Sequence, residues 1–269
     1  MDARDQLGKL ELIVKIPGKQ EFYETLRFYR VMLEKYGVEL KLGQCVNQDT
    51  IVAGNYDAVV LATGVRPREL ELEGADHAKV LSYLDVLDKE CPVGNKVAVI
   101  GAGGIGIDVA HFLTAQTPYS GDVPEYLQGY GILDSEKALA LRKPKKREVT
   151  VFQRSTDKIG KRLGKTTGWA HIQTLKSHGV QLLPGATYLK IDASGLHVKV
   201  ALKKGEEPQE IVMDVDNVIV AAGQEPRREL ETSLRESGFE VHVIGGARQT
   251  LGLDAKTAIN DAAELAAKF

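Results

Sequence analysis

Gly101, Gly103 and Gly106 stand in the spacing Gly-x-Gly-x-x-Gly, which points to phosphate binding rather than to acid–base or nucleophilic chemistry. The first glycine permits a tight turn, the second lets backbone approach a pyrophosphate, and the third lets a helix pack closely on the strand before it. Gly103, Gly104 and Ile105 would then bind the cofactor where the turn meets a helix whose N-terminus faces the phosphates. Glycine supplies 27 of the 269 residues, so the spacing alone is a weak signal and its flanks must carry the assignment.

Those flanks have the required character. Val97, Val99 and Ile100 form a short apolar run suited to a strand buried on both faces. From Ile105 onward, Ile107, Val109, Ala110, Phe112 and Leu113 keep one apolar side at helical spacing. A second strand over Glu148 to Phe152 arrives where a βαβ unit would place it. Together they favour a dinucleotide cradle over a plain glycine-rich turn in an α/β core. The second strand delivers Gln153 and Arg154 to the position where an NAD-type site keeps an acid on the ribose 2′-hydroxyl. A cation there, followed by Lys158, Lys161, Arg162 and Lys165, suits a 2′-phosphate and predicts NADPH in preference to NADH.

A near-repeat sets the larger organisation. Asp57-Ala-Val-Val-Leu-Ala-Thr-Gly-Val-Arg-Pro67 and Asp216-Asn-Val-Ile-Val-Ala-Ala-Gly-Gln-Glu-Pro226 share their Asp-to-Gly and Gly-to-Pro separations. Each reads as a buried strand ending in Gly-x-x-Pro, which brings bare backbone to the carboxyl edge of a parallel sheet. Either these are two ordinary strand exits, or they mark two nucleotide-binding units with one inserted in the other. The nested arrangement is preferred. The expected fold is α/β, with two nested Rossmann-like dinucleotide-binding domains, parallel sheets and a small antiparallel meander. A discontinuous FAD-type domain would cover residues 1–92 and 216–269, around an inserted NADPH-binding domain over 93–215.

Around this frame, Pro17-Gly18-Lys19 opens a helix carrying Phe22, Leu26, Tyr29, Leu33 and Tyr36 to a stop at Gly37, and Val38 to Leu42 reads as a strand. Thr117 to Lys146 is long for a helix-to-strand loop and reads as a surface insertion with a short helix near Ser135 to Leu141. The basic run Arg142 to Arg147 that closes it is a solvated face or a dock for an anionic partner. Gly160 to Thr166 is one residue short of a Walker A loop, which argues against ATP hydrolysis; Thr166 and Thr167 suit the N-cap of a helix over Trp169 to His178. Val180 to Leu183 follows as a strand, then Tyr188 to Ile191, Leu196 to Leu202 and Ile211 to Met213 as a meander. Val241 to Ile244 is the last strand, and Asp254 caps a C-terminal helix.

Composition narrows the partners. A net charge of −2 gives no electrostatic basis for nucleic acid or acidic membranes. The chain shows no signal peptide and no apolar run long enough to span a bilayer, which predicts a cytoplasmic protein. Cys45 and Cys91 make no C-x-x-C pair and read as free core thiols. His77, His111, His171, His178, His197 and His242 show no metal spacing, so no metal site is expected, and no catalytic side chain is expected because hydride transfer depends on stacking the two cofactors rather than on acid–base help.

Five phrases, Lys15 to Arg27, Val80 to Leu87, Gly164 to Trp169, Ala222 to Pro226 and Leu253 to Lys256, resemble the C-terminal half of bacterial NADPH-dependent 2,4-dienoyl-CoA reductase, within the trimethylamine dehydrogenase-like family. The likeness covers essentially the whole chain. It implies an electron-input module of fatty-acid β-oxidation that passes hydride from NADPH to FAD. FMN and an iron–sulfur cluster would belong to a TIM-barrel domain or subunit lying before Met1, together with the first glycine turn of the FAD unit. The resemblance places Lys19, Val46, Ala62, Thr63 and Gly64 against FAD, and Gly246, Leu253 and Asp254 near the flavin ring. It places Ala222 and Gly223 with the nucleotide-binding residues. Lys9 and Arg248 stand where that family tends to carry Gln and Asp. The alternative is a pyridine-nucleotide or ADP-binding module with no chemistry of its own.

Overall fold

The computed structural model describes residues 8–115, 147–161, 163–164, 166–202 and 205–269. The chain begins with α1 (Leu10–Ile13), α2 (Phe22–Lys35), α3 (Gln48–Ala53), β1 (Ala58–Leu61), β2 (Val65–Pro67), β3 (Val80–Ser82) and α4 (Tyr83–Leu87). Next come β4 (Lys96–Ile100), α5 (Gly104–Thr114), β5 (Glu148–Gln153), α6 (Gly168–Ser177) and β6 (Gln181–Pro184). A meander of β7 (Thr187–Asp192), β8 (Gly195–Val200) and β9 (Gln209–Met213) follows. The chain closes with β10 (Asn217–Val220), β11 (Gln224–Pro226), α7 (Glu231–Glu236), β12 (Glu240–Val243), α8 (Gly245–Arg248) and α9 (Ala255–Ala266).

Chain contacts separate two units. One contains Leu10–Thr25 and Glu69–Ala222; the other contains Gly8, Lys9, Leu26–Arg68 and Gly223–Phe269. The strand phrases placed the borders at 92/93 and 215/216. In the structure β3 and β10 both pair in the sheet that holds β4, so the division falls instead at 68/69 and 222/223.

In the first unit, five strands run parallel in the order β3-β10-β4-β5-β6. Val97, Ala98, Val99 and Ile100 are all buried, because both faces of the sheet are covered. Val97, Val99, Val151 and Ile219 pack with Ile107, Ala110 and Leu113 of α5, Ile172 and Leu175 of α6, and Val86 of α4. The alternate residues Ala98, Ile100, Phe152 and Val218 pack with Leu196, Val198 and Val200 of the antiparallel meander. The unbroken apolar run of β4 is thus split residue by residue between a helical layer and a β layer. Ser82 starts α4 with a capping box: Asp85 N–H donates to its hydroxyl, and the Asp85 carboxylate accepts from Ser82 N–H.

In the second unit, β1 and β12 form a parallel pair whose inward residues Val59, Leu61 and Val241 pack with Ile51 of α3 and Leu234 of α7. On the opposite face Val60 is exposed. Here β2 and β11 form an antiparallel ribbon, with Glu225 opposite Arg66. The two Gly-x-x-Pro exits therefore pair with each other, while the strands leading into them lie in different sheets. This pairing escapes the linear reading, since nothing in a repeat says which copy it touches.

Several expectations are corrected. Val38 to Leu42 alternates like a strand but is mostly exposed and unpaired among the described residues; alternation without a partner strand does not make a sheet. Cys45 is exposed and Cys91 half-buried, so neither is a core thiol, although both are free. The insertion over Thr117 to Lys146, with its short helix, lies outside the described residues. Among the described residues no helix is long and apolar enough to cross a membrane.

Candidate dinucleotide site

The glycine turn has the geometry its spacing predicts. β4 ends at Ile100, and Gly101 takes φ +112°, a conformation open to glycine but strained for other residues. Its N–H donates to the Phe152 carbonyl at 2.9 Å, tying the turn to β5. A Cβ on Gly101 would lie 2.5 Å from the Ala221 carbonyl oxygen, and one on Gly106 would lie 1.8 Å from the Gly101 carbonyl oxygen. Backbone therefore fills the space at both positions. Gly103 and Gly104 are exposed, and a Cβ on either would meet nothing within 4 Å. Gly103 is the N-cap of α5 and supplies no side-chain hydrogen bond to the first-turn N–H groups, an arrangement that suits a bound pyrophosphate. Ile105 is half-buried and anchors the turn against the core.

Neighbouring strand ends complete this edge. Val220 pairs with Ile100, and Ala221 N–H donates to the Ile100 carbonyl at 2.8 Å. Ala222 is half-buried beneath the same edge. In the second unit, Gly223 is exposed at φ +107°, with the Arg68 guanidinium 3.4 Å from where its Cβ would be.

On the other flank, Phe152 pairs with Ile100, so Arg154 stands two residues beyond at the carboxyl end of the sheet. It is exposed, and among the described residues no acidic side chain pairs with it. Lys158 is exposed as well; Lys165, like Arg162, lies outside the described residues. The acid in this loop, Asp157, is engaged by Lys161 at 2.9 Å. Gln153, left without a role by the sequence, donates through Nε2 to the carbonyls of Ser155 (3.0 Å) and Asp157 (2.7 Å).

The residues expected against FAD are divided. Ala62 and Thr63 are exposed at the end of β1, with the Thr63 hydroxyl donating to the Arg227 carbonyl, and Gly64 takes φ +73°. Asp254 caps α9 by accepting from Thr257 N–H at 2.7 Å, a bond that holds its carboxyl below the usual carboxylate range. Leu253 is half-buried beside it. Gly246 is buried, and a Cβ there would lie 2.9 Å from Val65 and 3.1 Å from Leu253. Val46 packs on the Val59 and Leu61 core. Lys19 is held by Asp108 of α5, with its Nζ 2.8 and 2.7 Å from the two carboxylate oxygens. Asp108 escaped the sequence reading because its partner is 89 residues away.

Arg248 donates to the buried carboxylate of Asp261 at 2.6 Å. Asp261 also accepts from Gly245 N–H at 2.9 Å.

Two other polar clusters carry no catalytic geometry. His111 is buried between α5 and α6 and donates from Nε2 to the His171 carbonyl at 3.1 Å; burial, then the nearby His171, bring its pKa down to about 4. Ser194 and Asp192 lie 3.1 and 2.8 Å from the same His197 nitrogen, Nε2, so the ring cannot relay a proton between them. Hydrogen bonds from the Ser194 hydroxyl, Lys190 and His197 hold the Asp192 carboxyl low, and together they brace the hairpin turn. Among the described residues no His, Cys, Asp and Glu cluster suits a metal.

A glycine cradle on a parallel sheet, with a meander on the opposite face, defines a pyridine-nucleotide-binding α/β fold. Residues 20–256 match the pyridine nucleotide-disulphide oxidoreductase family, and the chain belongs to it. The family binds FAD and NAD(P), and this chain is an oxidoreductase domain of that flavin-dependent type. It is 26% identical over 244 residues to a metal reductase of Desulforamulus reducens, covering 89% of this chain and 36% of that protein. It is 26% identical over 249 residues to an NADH oxidase of Thermoanaerobacter brockii, covering 89% and 32%. The solved structure of a 2-naphthoyl-CoA reductase in complex with 2-naphthoyl-CoA superposes with a TM-score of 0.80 at 25% identity, covering 100% of this chain and 36% of that one. The chain thus spans about a third of the length of these relatives. The disulphide of the family's name has no counterpart within this chain, whose two cysteines are both free.

Proposed function

We propose that this chain is the electron-input module of a larger reductase resembling 2,4-dienoyl-CoA reductase, with NADPH as its electron donor and FAD as the acceptor. The observation that carries the proposal is the open Gly103-Gly104 backbone at the same sheet edge as the exposed Arg154, with which no acidic side chain among the described residues pairs. Gly103, Gly104 and Ile105 would present N–H groups to the pyrophosphate, while Arg154, Lys158 and Lys165 would receive the 2′-phosphate. Ala222 would line the opposite flank. The discontinuous unit would hold FAD through Ala62, Thr63, Gly64, Leu253 and Asp254. FAD, when bound, supplies the chemistry of accepting hydride and releasing electrons singly.

The chain's own residues bind and orient; none needs to move a proton. The remaining two thirds of such an enzyme would be a TIM-barrel domain or subunit with FMN and an iron–sulfur cluster, acting on an enoyl-type thioester in the cytoplasm. The 2-naphthoyl-CoA bound by a structural relative supports an acyl-CoA substrate class. The packed surroundings of Gly246 and the Lys19–Asp108 pair favour a second reading, a nucleotide-binding module without redox chemistry.

Purified protein distinguishes the two. Flavin absorbance together with NADPH-driven reduction of a dye is the expected result. A colourless protein that binds NADP and reduces nothing, even with added FAD, would replace the proposal with the second reading.

A further inference from the structure

We infer that Gln153 is a positioning residue that preforms the loop from Arg154 to Lys158 as a phosphomonoester receptor. The inference rests on the 2′-phosphate assignment proposed above. Along this loop exposure alternates: Gln153, Ser155 and Asp157 are half-buried, while Arg154, Thr156 and Lys158 are exposed. Five hydrogen bonds hold the inner residues. The two amide hydrogens of Gln153 go to the carbonyls of Ser155 and Asp157 at 3.0 and 2.7 Å. The Ser155 hydroxyl accepts from Asp157 N–H at 3.1 Å. From the end of β6, Gly185 N–H donates to the Ser155 carbonyl at 3.0 Å and Ala186 N–H to the Gln153 carbonyl at 2.9 Å. What remains outward is a guanidinium, a hydroxyl and an ammonium, a donor set suited to a dianionic phosphate.

The residue type at 153 follows from its two bonds. Both acceptors are carbonyl oxygens, so the side chain between them must donate twice, and an amide does. A carboxylate, the usual residue of an NAD-type site at this strand end, would set its own oxygens against those two carbonyls and open the loop. The glutamine therefore does more than omit a charge that would repel the phosphate. It fixes the backbone on which Arg154 stands, so fewer loop conformations are lost when phosphate binds.

Calorimetric titration of the full chain with adenosine 2′,5′-bisphosphate and with adenosine 5′-monophosphate tests this, because the probes differ only in the 2′-phosphate. Wild type is expected to prefer the bisphosphate. In Gln153→Leu that preference should drop about tenfold, the scale on which a residue supporting a binding group acts, with monophosphate affinity unchanged. Gln153→Met, which keeps the side-chain length but not the donors, should behave alike and carries the test if the leucine variant does not fold. An unchanged preference in the variants overturns the role of Gln153 and leaves the Arg154 site standing. Equal weakening of both probes also overturns it, since Gln153 would then support the fold generally. No preference in wild type overturns the phosphate site and the loop's role together.

Discussion

Gly106 faces the carbonyl oxygen of Gly101 so closely that a methyl group on Gly106 would lie 1.8 Å from it. The contact is backbone on both sides, so no side chain can turn away to relieve a substitution. Gly106→Ala is therefore expected to destabilise the fold by about 3 kcal/mol or more, at or beyond the usual range for overpacking a core. Gly104→Ala should be neutral or stabilising by up to about 1 kcal/mol, because its Cβ would enter open space at the start of a helix. Yet it should weaken binding of adenosine 5′-diphosphate. Urea melts and titrations of the two variants separate a glycine needed for the fold from one needed for the ligand; full ADP affinity in Gly104→Ala would remove the pyrophosphate from this turn.

Arg154 is exposed and pairs with no acidic side chain among the described residues, so its replacement should leave stability nearly unchanged. Arg154→Asp is expected to weaken NADPH by about 10- to 100-fold, the loss of a charge-assisted hydrogen bond with a repulsion added, and to leave NADH within about threefold. Dissociation constants for both nucleotides check this. Equal weakening of the two would place the 2′-phosphate elsewhere.

His111 should make stability pH-dependent. Burial and the neighbouring His171 bring its folded-state pKa to about 4 against 6.5 for the free side chain. The unfolded chain therefore takes up a proton at a pH where the folded chain resists it. The stability from burying neutral His111 is present above pH 6.5 and is lost as pH falls toward 4, by up to roughly 3 kcal/mol. Urea melts at intervals across this range should show a slope that Gln at position 111 reduces. An identical slope in His111→Gln would assign the effect to other groups.

Asp261 accepts from Gly245 N–H and from the Arg248 guanidinium while buried. Asp261→Ala strands both donors and should cost about 3 kcal/mol. Arg248→Asp would set two carboxylates together and should cost at least as much. Arg248→Asp with Asp261→Arg should recover part of that loss if the ion pair itself is responsible. Thermal melts of the three variants decide.

Much of the first unit is legible in the linear sequence, because its signals are local. The apolar run before Gly101, the helical spacing after it and the cation two residues past Phe152 each sit within a few residues of what they specify. The meander strands and the Asp254 cap are local as well, and they stand where expected. What failed was assignment across distance. Val38 to Leu42 has the alternation of a strand, but alternation sets only which face is apolar, and a strand also needs a neighbour to pair with.

From the order of its residues alone, this protein declares a glycine turn, its flanking strand and helix, and a basic position just past the next strand. Tertiary structure alone decides that the two Gly-x-x-Pro exits pair with each other, that Lys19 goes to Asp108, and that Gln153 braces the loop bearing Arg154. The physical reason is range. Backbone sterics and side-chain periodicity act over one or two turns of chain, whereas ion pairs, strand partners and packing depend on which distant segments the folded core brings within a few ångströms.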